Sequence, residues 1–495
     1  MLLLGIDLGT SSVKVSVLDA GNGSLVASAQ YPEAEAAIIS HHPGWAEQSP
    51  NQWWHDVKAA ILKLHATGAY KPSDIGAIGI AYQMHGLVLV DSHQNVIRDS
   101  IIWCDNRAVA LGEKAFETIG HNYCLTHLLN SPGNFTASKL AWVKQNEPEH
   151  YAQIHKMMLP GDFIAMKLTG EITTTIAALS EGMFWDFKNN CLSNEVMDYY
   201  GLDAQHIPAI KNVFDTHGYV TEHIASELGI SKGIPVTYKA GDQQNNALSL
   251  NVLNPGEVAA TAGTSAVIYA VSDSLQADTA SRVNSFAHVN HTQEHNSIGV
   301  LLCINGAGIQ YAKLKNKLNI ESYEEMNKLS LKVGVGSEEL TYLPFGNGSE
   351  RMLNNINVGS SMFNFDKRVH NNAHLIRATL EGIAFAFVYG MQILIKDGVK
   401  PSVVRAGNDN LFKSNVFGNT VSTLINTEIE IYDTTGAVGA ARAVDLNNRN
   451  FNEFGKNIIE NDFLKTFSPQ SNLSDYKVAY DLWVEKLKLT LNKNI

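Results

Sequence analysis

The sequence predicts an α/β protein made of two similar domains, and three observations carry that expectation. The first is a strand, turn and strand at the N-terminus: Leu2 to Asp7, then Leu8-Gly9-Thr10-Ser11-Ser12, then Val13 to Asp19, where the residues alternate as in a half-buried strand. The second is the return of that pattern halfway along, as Val258 to Ala262, Gly263-Thr264-Ser265 and Ala266 to Ala270. One such hairpin in each half is the mark of a repeated unit. The third is the mixture of helical spacing, at Asp56 to Leu64 and Leu375 to Phe387, with strand-like runs such as Ile75 to Ala81. The boundary is expected near Asn251 to Gly256, dividing the chain into residues 1–250 and 251–495. The stretch from Asn447 to Ile495 is richer in Asn and Lys and reads as peripheral helices with solvated faces.

Composition bounds the function. A chain of 495 residues has room for two or more domains at roughly 100–200 residues each. Its hydrophobic share of 45% and charged share of 17% are those of a globular protein. A net charge of −12 repels a polyphosphate backbone, so nucleic acid is not an expected partner. Four cysteines, Cys104, Cys124, Cys191 and Cys303, lie far apart without a Cys-x-x-Cys pair, which fits a reducing cytoplasm better than a disulfide framework or a zinc site. Met1 to Leu4 is apolar but has no basic segment before it and is soon interrupted by Gly5 and Asp7, so a signal peptide is not expected. No apolar run approaches the ~20 residues of a membrane span.

Each Gly-Thr-Ser turn taken alone reads as an ordinary chain reversal. Two of them, each with an Asp in a nearby strand context, point instead to phosphate, because successive backbone N–H groups in such a turn make an anion-binding concavity. Neither Gly-x-x-x-x-Gly-Lys-Ser/Thr nor Gly-x-Gly-x-x-Gly is present, so the commoner nucleotide fingerprints do not apply.

Phosphoryl transfer to an alcohol needs phosphate donors, a metal and a carboxylate base. Asp7, at the end of the first strand, is the candidate for holding Mg²⁺, with a turn-capping role as the alternative. Asp242 follows the strand-like run Pro235 to Gly241 and precedes Gln243, Gln244, Asn245 and Asn246; it is the candidate base, and capping a helix from Gln243 is the competing reading. Amides beside it suit a polyol. Gln83, Met84 and His85 interrupt an apolar stretch where polar groups are costly unless bonded, so they are sugar-contact candidates, with a satisfied core histidine as the bland reading. Trp103 and Asp105 form a second candidate sugar edge, against a structural Asp105–Arg107 pair. His288, His291 and His295 lie in a polar hairpin and argue poorly for zinc.

Taken in order, Gly5 to Ser12, Gly44-Trp45-Ala46-Glu47-Gln48, Trp53-Trp54, Ala240-Gly241-Asp242 and Ala262-Gly263-Thr264-Ser265 resemble the FGGY family of carbohydrate kinases over nearly the whole chain. Gln83 to Leu89 followed by Asp91 is most similar to its xylulokinases. The resemblance implies two ribonuclease-H-like, actin-like ATPase domains with the active site in the cleft between them. It implies Asp242 as base and, with Asp7, as metal site, and His85 and Gln243 at the sugar. Phosphates would lie at Thr10, Ser11, Ser12, Gly263 and Thr264, and Gly306, Gly407 and Asn408 complete the nucleotide set. Arg405 to Asn410 stands where the family is glycine-rich, whereas Gly436 to Ala441 keeps the family's small-residue helix start. The expected activity is ATP- and Mg²⁺-dependent phosphorylation of a small ketose, D-xylulose first, with ribulose, a deoxyketose or gluconate as alternatives. A non-catalytic actin-like nucleotide-binding protein is the alternative from another class, and a homodimer is left open.

Overall fold

The computed structural model describes residues 1–446 and 451–493; the remaining residues of the Asn447 to Ile495 stretch lie outside it. Two main sheets organise the chain. The first contains β1 (Leu2–Leu8), β2 (Val13–Asp19), β3 (Leu25–Tyr31), β4 (Ile75–Tyr82) and β5 (Val236–Gly241), in the order β5-β4-β1-β2-β3. β1, β2 and β3 form an antiparallel meander, while β4 lies parallel to β1 and β5 parallel to β4. β1 is covered on both faces, which is why it reads as an almost unbroken apolar run.

The second sheet repeats this plan. It contains β6 (Glu257–Ala262), β7 (Ala266–Ser272), β8 (Asn284–Ala287), β9 (Ile298–Ile304), β10 (Val403–Gly407), β11 (Ile429–Tyr432) and β12 (Phe463–Phe467), in the order β8-β9-β7-β6-β10-β11-β12. β6, β7 and β9 form the antiparallel meander, and β10 and β11 continue in parallel from β6. β8 and β12 add one antiparallel strand at each edge. Residues 250–256 carry the chain from one half to the other.

Two helices cross between the halves. Asp242–Ser249 packs against Gly436–Ala443, and the latter lies on β1 and β4. This approach requires glycine: a Cβ on Gly5 or Gly79 would collide with the backbone of Ala437 or Ala440. The helix Asn372–Lys396 is long and apolar enough to cross a bilayer, but 83% of its apolar window is buried inside the protein, as in a core helix.

The C-terminal stretch forms the expected helices with exposed faces, and adds a strand and a buried stripe. Its helices, Phe451–Asp462 and Leu473–Leu491, flank β12, which extends the second sheet. Leu473–Leu491 buries Tyr476, Ala479, Tyr480, Trp483 and Leu487, a helical stripe that its many charged residues disguise in the composition. Trp483 is fully buried and stacks on Tyr480.

Candidate active site

Because β1, β4 and β5 are parallel, their C-terminal ends meet at one edge of the sheet, where open α/β sheets bind ligands. That edge carries Asp7 on β1, Gln83-Met84-His85 after β4 and Asp242 after β5. Asp242 is the first residue of its helix and Gly241 the cap, so the helix begins one residue before the Gln243 start that a capping Asp242 requires. Burial, then the facing charge of Asp7, pushes its carboxyl up to about 7, partly offset by hydrogen bonds from Gln243. Burial likewise raises Asp7, while Lys14 opposes the shift. Gly436 closes over Asp7, since a Cβ there would collide with the Asp7 carboxylate.

The first turn is braced by side chains. Gly9 N–H donates to Ser12 O at 3.1 Å. The Thr10 hydroxyl donates to Gln83 Oε1 at 3.1 Å and accepts from Trp103 Nε1 at 2.9 Å. Gln48 Nε2 donates to the Thr10 carbonyl at 2.8 Å, and Gln48 Oε1 accepts from Gln83 Nε2 at 3.0 Å and from Trp53 Nε1 at 3.1 Å. Gln83 is therefore corrected as a sugar contact: it is buried, and both ends of its amide serve the turn. Ser11 is exposed and Ser12 half-buried at the tip.

His85 sits at φ 61°, the left-handed region, where a non-glycine residue is held only by its surroundings. Its carbonyl accepts from Lys139 Nζ at 2.8 Å and Thr136 Oγ1 at 3.3 Å. Its ring packs against Phe135 at 4.8 Å and against Phe286, from β8 of the other half, at 5.3 Å. Met84 lies against Gly241, and Gln243 is half-buried beside Asp242. Trp103 keeps half of its surface exposed next to the first turn. Asp105 is the second correction. Fully buried, its Oδ2 accepts from Ala46 N–H at 2.6 Å and Arg107 Nη2 at 2.7 Å and its Oδ1 from Arg107 N–H at 2.8 Å and Nε at 3.0 Å, so the structural pair describes it and both oxygens are engaged. Arg107 in turn lies over Trp45, 3.9 Å from the ring centre.

The second turn is held by backbone alone: Gly263 O accepts from Gly308 N–H at 2.8 Å and Thr264 O from Ile309 N–H at 3.1 Å, joining the turn to the start of the helix Gly308–Leu318. A cavity of about 590 Å³ opens beside it, lined by Gly263, Thr264, Gly308, Tyr311, Tyr323 and Asn410 among others. Tyr311 and Tyr323 stack in its wall at 5.6 Å. Gly306 is not part of it; it is buried against Pro344, and its N–H is taken by Glu350 Oε1 at 3.0 Å. Gly407 and Asn408 also stand outside the lining. Gly407 ends β10 and Asn408 follows it, its N–H donating to Tyr432 O at 2.8 Å, and the chain lines the cavity from Asn410 onward, through Leu411, Lys413 and Ser414.

With this geometry in view, comparison with known proteins decides the family. A profile of the FGGY family of carbohydrate kinases, N-terminal domain, matches residues 2–249. The chain belongs to this family. It is 30% identical over 442 residues to the xylulose kinase of Escherichia coli K12, covering 89% of this chain and 88% of that one. It is 27% identical over 495 residues to the xylulose kinase of Bacillus subtilis, covering 97% and 95%. A solved structure described as a xyloylose kinase from Brucella ovis superposes with a TM-score of 0.86 at 25% identity over 98% of each chain. The fold is the two-domain, actin-like one of FGGY sugar kinases. The protein is a carbohydrate kinase, an enzyme that uses ATP on a small sugar.

Sequence reasoning missed Lys139, Glu181, Phe135 and Phe286. Glu181 was open to the argument applied to His85, since it interrupts the apolar run Ala177 to Trp185. Phe286 was not, because only the tertiary fold brings β8 against His85.

Proposed function

We propose that this FGGY kinase transfers the γ-phosphoryl group of ATP to D-xylulose, forming D-xylulose 5-phosphate, with Asp242 as general base. The observation that carries the reading is Asp242 itself: a carboxylate at the meeting point of three parallel strand ends, with an apparent pKa of about 7, beside His85, Met84 and Gln243. Relatives named xylulose kinase across almost the whole length support the choice of ketose.

The residues divide the task as follows. One wall of the sugar site is apolar, from Met84, Phe135, Phe286 and Trp103, and the other is polar, from His85 and Gln243. The hydroxyl to be phosphorylated lies at Asp242, which accepts its proton on a carboxylate oxygen as the oxygen–phosphorus bond forms. Backbone N–H groups of the Thr10 to Ser12 turn and of Gly263-Thr264 face the phosphates. The cavity beside Tyr311, Tyr323 and Asn410 takes the nucleoside. Residues 1–250 thus carry the sugar side and residues 251–495 the nucleotide side, with the enzyme working in the cytoplasm.

Asp7 and Asp242 fit Mg²⁺. They are two hard oxygen donors, both raised by burial, with the charge of Asp7 raising Asp242 further and Lys14 easing Asp7, and Mg²⁺ characteristically takes one or two carboxylates and fills its remaining positions with water and phosphate oxygens. Bound there, it would offset charge on the phosphates during transfer.

A coupled assay at fixed ATP with xylulose, ribulose, gluconate and no sugar tests this. Xylulose should give the highest kcat/KM. ATP hydrolysis that ignores every sugar would overturn the kinase reading in favour of an actin-like nucleotide-binding protein.

A further inference from the structure

Glu181 is a buried carboxyl that the transfer chemistry leaves without a task. It ends the short helix Ile176–Glu181, which packs against both β5 and β8. Oε1 accepts from the Tyr82 hydroxyl at 2.9 Å. Oε2 is buried, has no hydrogen-bond partner among the described residues, and lies 3.6 Å from His85 Nδ1. The carbonyl oxygen of Glu181 is nearer still to Nδ1, at 3.1 Å.

These distances determine the imidazole. A carbonyl oxygen can only accept, so the nitrogen facing it carries the proton; a neutral imidazole has one N–H, and Nε2 is then a bare acceptor. The ring is kept neutral by its setting. Burial and the positive charges of Lys139 and Arg351 hold its pKa down to about 3, and the opposing carboxyl, Glu181, is itself held protonated well above the usual range by burial. Nε2 has no hydrogen bond among the described residues, and the His85 side chain keeps 16% of its surface open. The ring cannot turn freely, because Phe135 and Phe286 grip it from two sides. Ser180, next to Glu181, accepts from Ala287 N–H at 2.9 Å, which ties this corner to the strand carrying Phe286.

We propose that Glu181, through its main-chain carbonyl, is a positioning residue that fixes His85 with its proton on Nδ1, so that Nε2 meets the sugar as an acceptor and this subsite selects a hydroxyl over a carbonyl or any other acceptor-only group. The proposal rests on the placement of His85 at the sugar, and its first test does not.

In ¹⁵N-histidine-labelled enzyme without sugar, long-range proton–nitrogen spectra, assigned with His85→Gln, should show Nδ1 protonated and Nε2 bare, with no titration between about pH 6 and pH 9. A proton on Nε2, or a ring that titrates in that range, would overturn the proposal. Glu181→Gln supplies the second arm. It keeps the main-chain carbonyl that holds the proton on Nδ1, so the same spectra should show Nδ1 still protonated, and KM for xylulose should change less than about threefold. A bare Nδ1 in the folded variant would place the control in the side chain and overturn the proposal. Should the wild-type enzyme phosphorylate no ketose, the functional reading fails while the spectra still decide the tautomer.

Discussion

The two hairpins that open the two halves share strand order, direction and a Gly-Thr turn, yet their surroundings differ in kind. Aligned on Gly9-Thr10 and Gly263-Thr264, Thr261 stands where the first hairpin has Asp7, and Val267 pairs with it where Lys14 pairs with Asp7. The first turn is held by Gln48, Gln83 and Trp103, and the second by two backbone N–H groups and an open cavity. The difference continues at the neighbouring strand ends. β5 runs into Asp242, whereas β10 runs into Gly407-Asn408. One scaffold therefore serves two tasks, and a few residues at the carboxyl ends of parallel strands decide which half holds charge and which holds space.

The strongest way to break this comparison is to remove the charge from the first half. Asp242→Asn keeps the size of the side chain but not its basic oxygen, so kcat should fall about 10²–10⁴-fold with little change in ATP affinity, and no Mg²⁺ concentration should restore it. In the wild type, turnover should decline as pH falls through about 7, because protonation removes the base; bound Mg²⁺ would move that midpoint lower. Asp7→Asn comes next. Its apparent Mg²⁺ affinity should drop about 10–100-fold, and raising Mg²⁺ should recover much of the rate. A Mg²⁺ titration of steady-state rates on both variants separates the roles. Identical responses would show that the two carboxylates do not divide the work.

The repeat was readable from the sequence because each hairpin is local: the alternation of Val13 to Asp19 and the near-unbroken run of β1 are set by residues within one strand or its neighbour. The placement of Asp7, His85 and Asp242 at one sheet edge was readable for a related reason, since each lies at or just after the end of a strand, where burying a polar group calls for an explanation. The errors share the opposite cause. Gln83 and Asp105 are polar residues in the same kind of position, but their partners, Gln48, Thr10, Ala46 and Arg107, come from other segments, and only those distances show their groups to be already engaged. Gly306 and Gly407 are glycines that the family resemblance places in the nucleotide set. Pro344 explains the first by packing, and the second stops short of the cavity.

The second half can be tested by filling space in place of removing charge. Gly308 begins the helix that meets the second turn, and a Cβ there would collide with Gly263 O. Gly308→Ala must displace the turn, so KM for ATP should rise several-fold while KM for xylulose stays near its wild-type value. Titration calorimetry with a non-hydrolysable ATP analogue checks the same effect without turnover. Equal losses for both substrates would mean that the second turn is not confined to the nucleotide.

The smallest expected effect is thermodynamic, and it sharpens the contrast because it needs no substrate. The folded-state pKa of Asp242 is raised from 3.8 to about 7, chiefly by burial and then by Asp7. Between those values the folded protein holds a proton that the unfolded chain has released, so this group's contribution to stability declines as pH rises through the window and stays low above it. Asn does not titrate. The melting temperature of Asp242→Asn relative to wild type should therefore increase from about pH 5 to about pH 8 in the presence of a chelator, by a few degrees. Added Mg²⁺ should narrow or reverse the gap at high pH, since an ion that binds only the folded site stabilises the protein that keeps both carboxylates. A difference independent of pH would mean that Asp242 titrates like a solvated carboxylate, and the strand-end setting would then lose the property that distinguishes it from the corresponding edge of the second sheet.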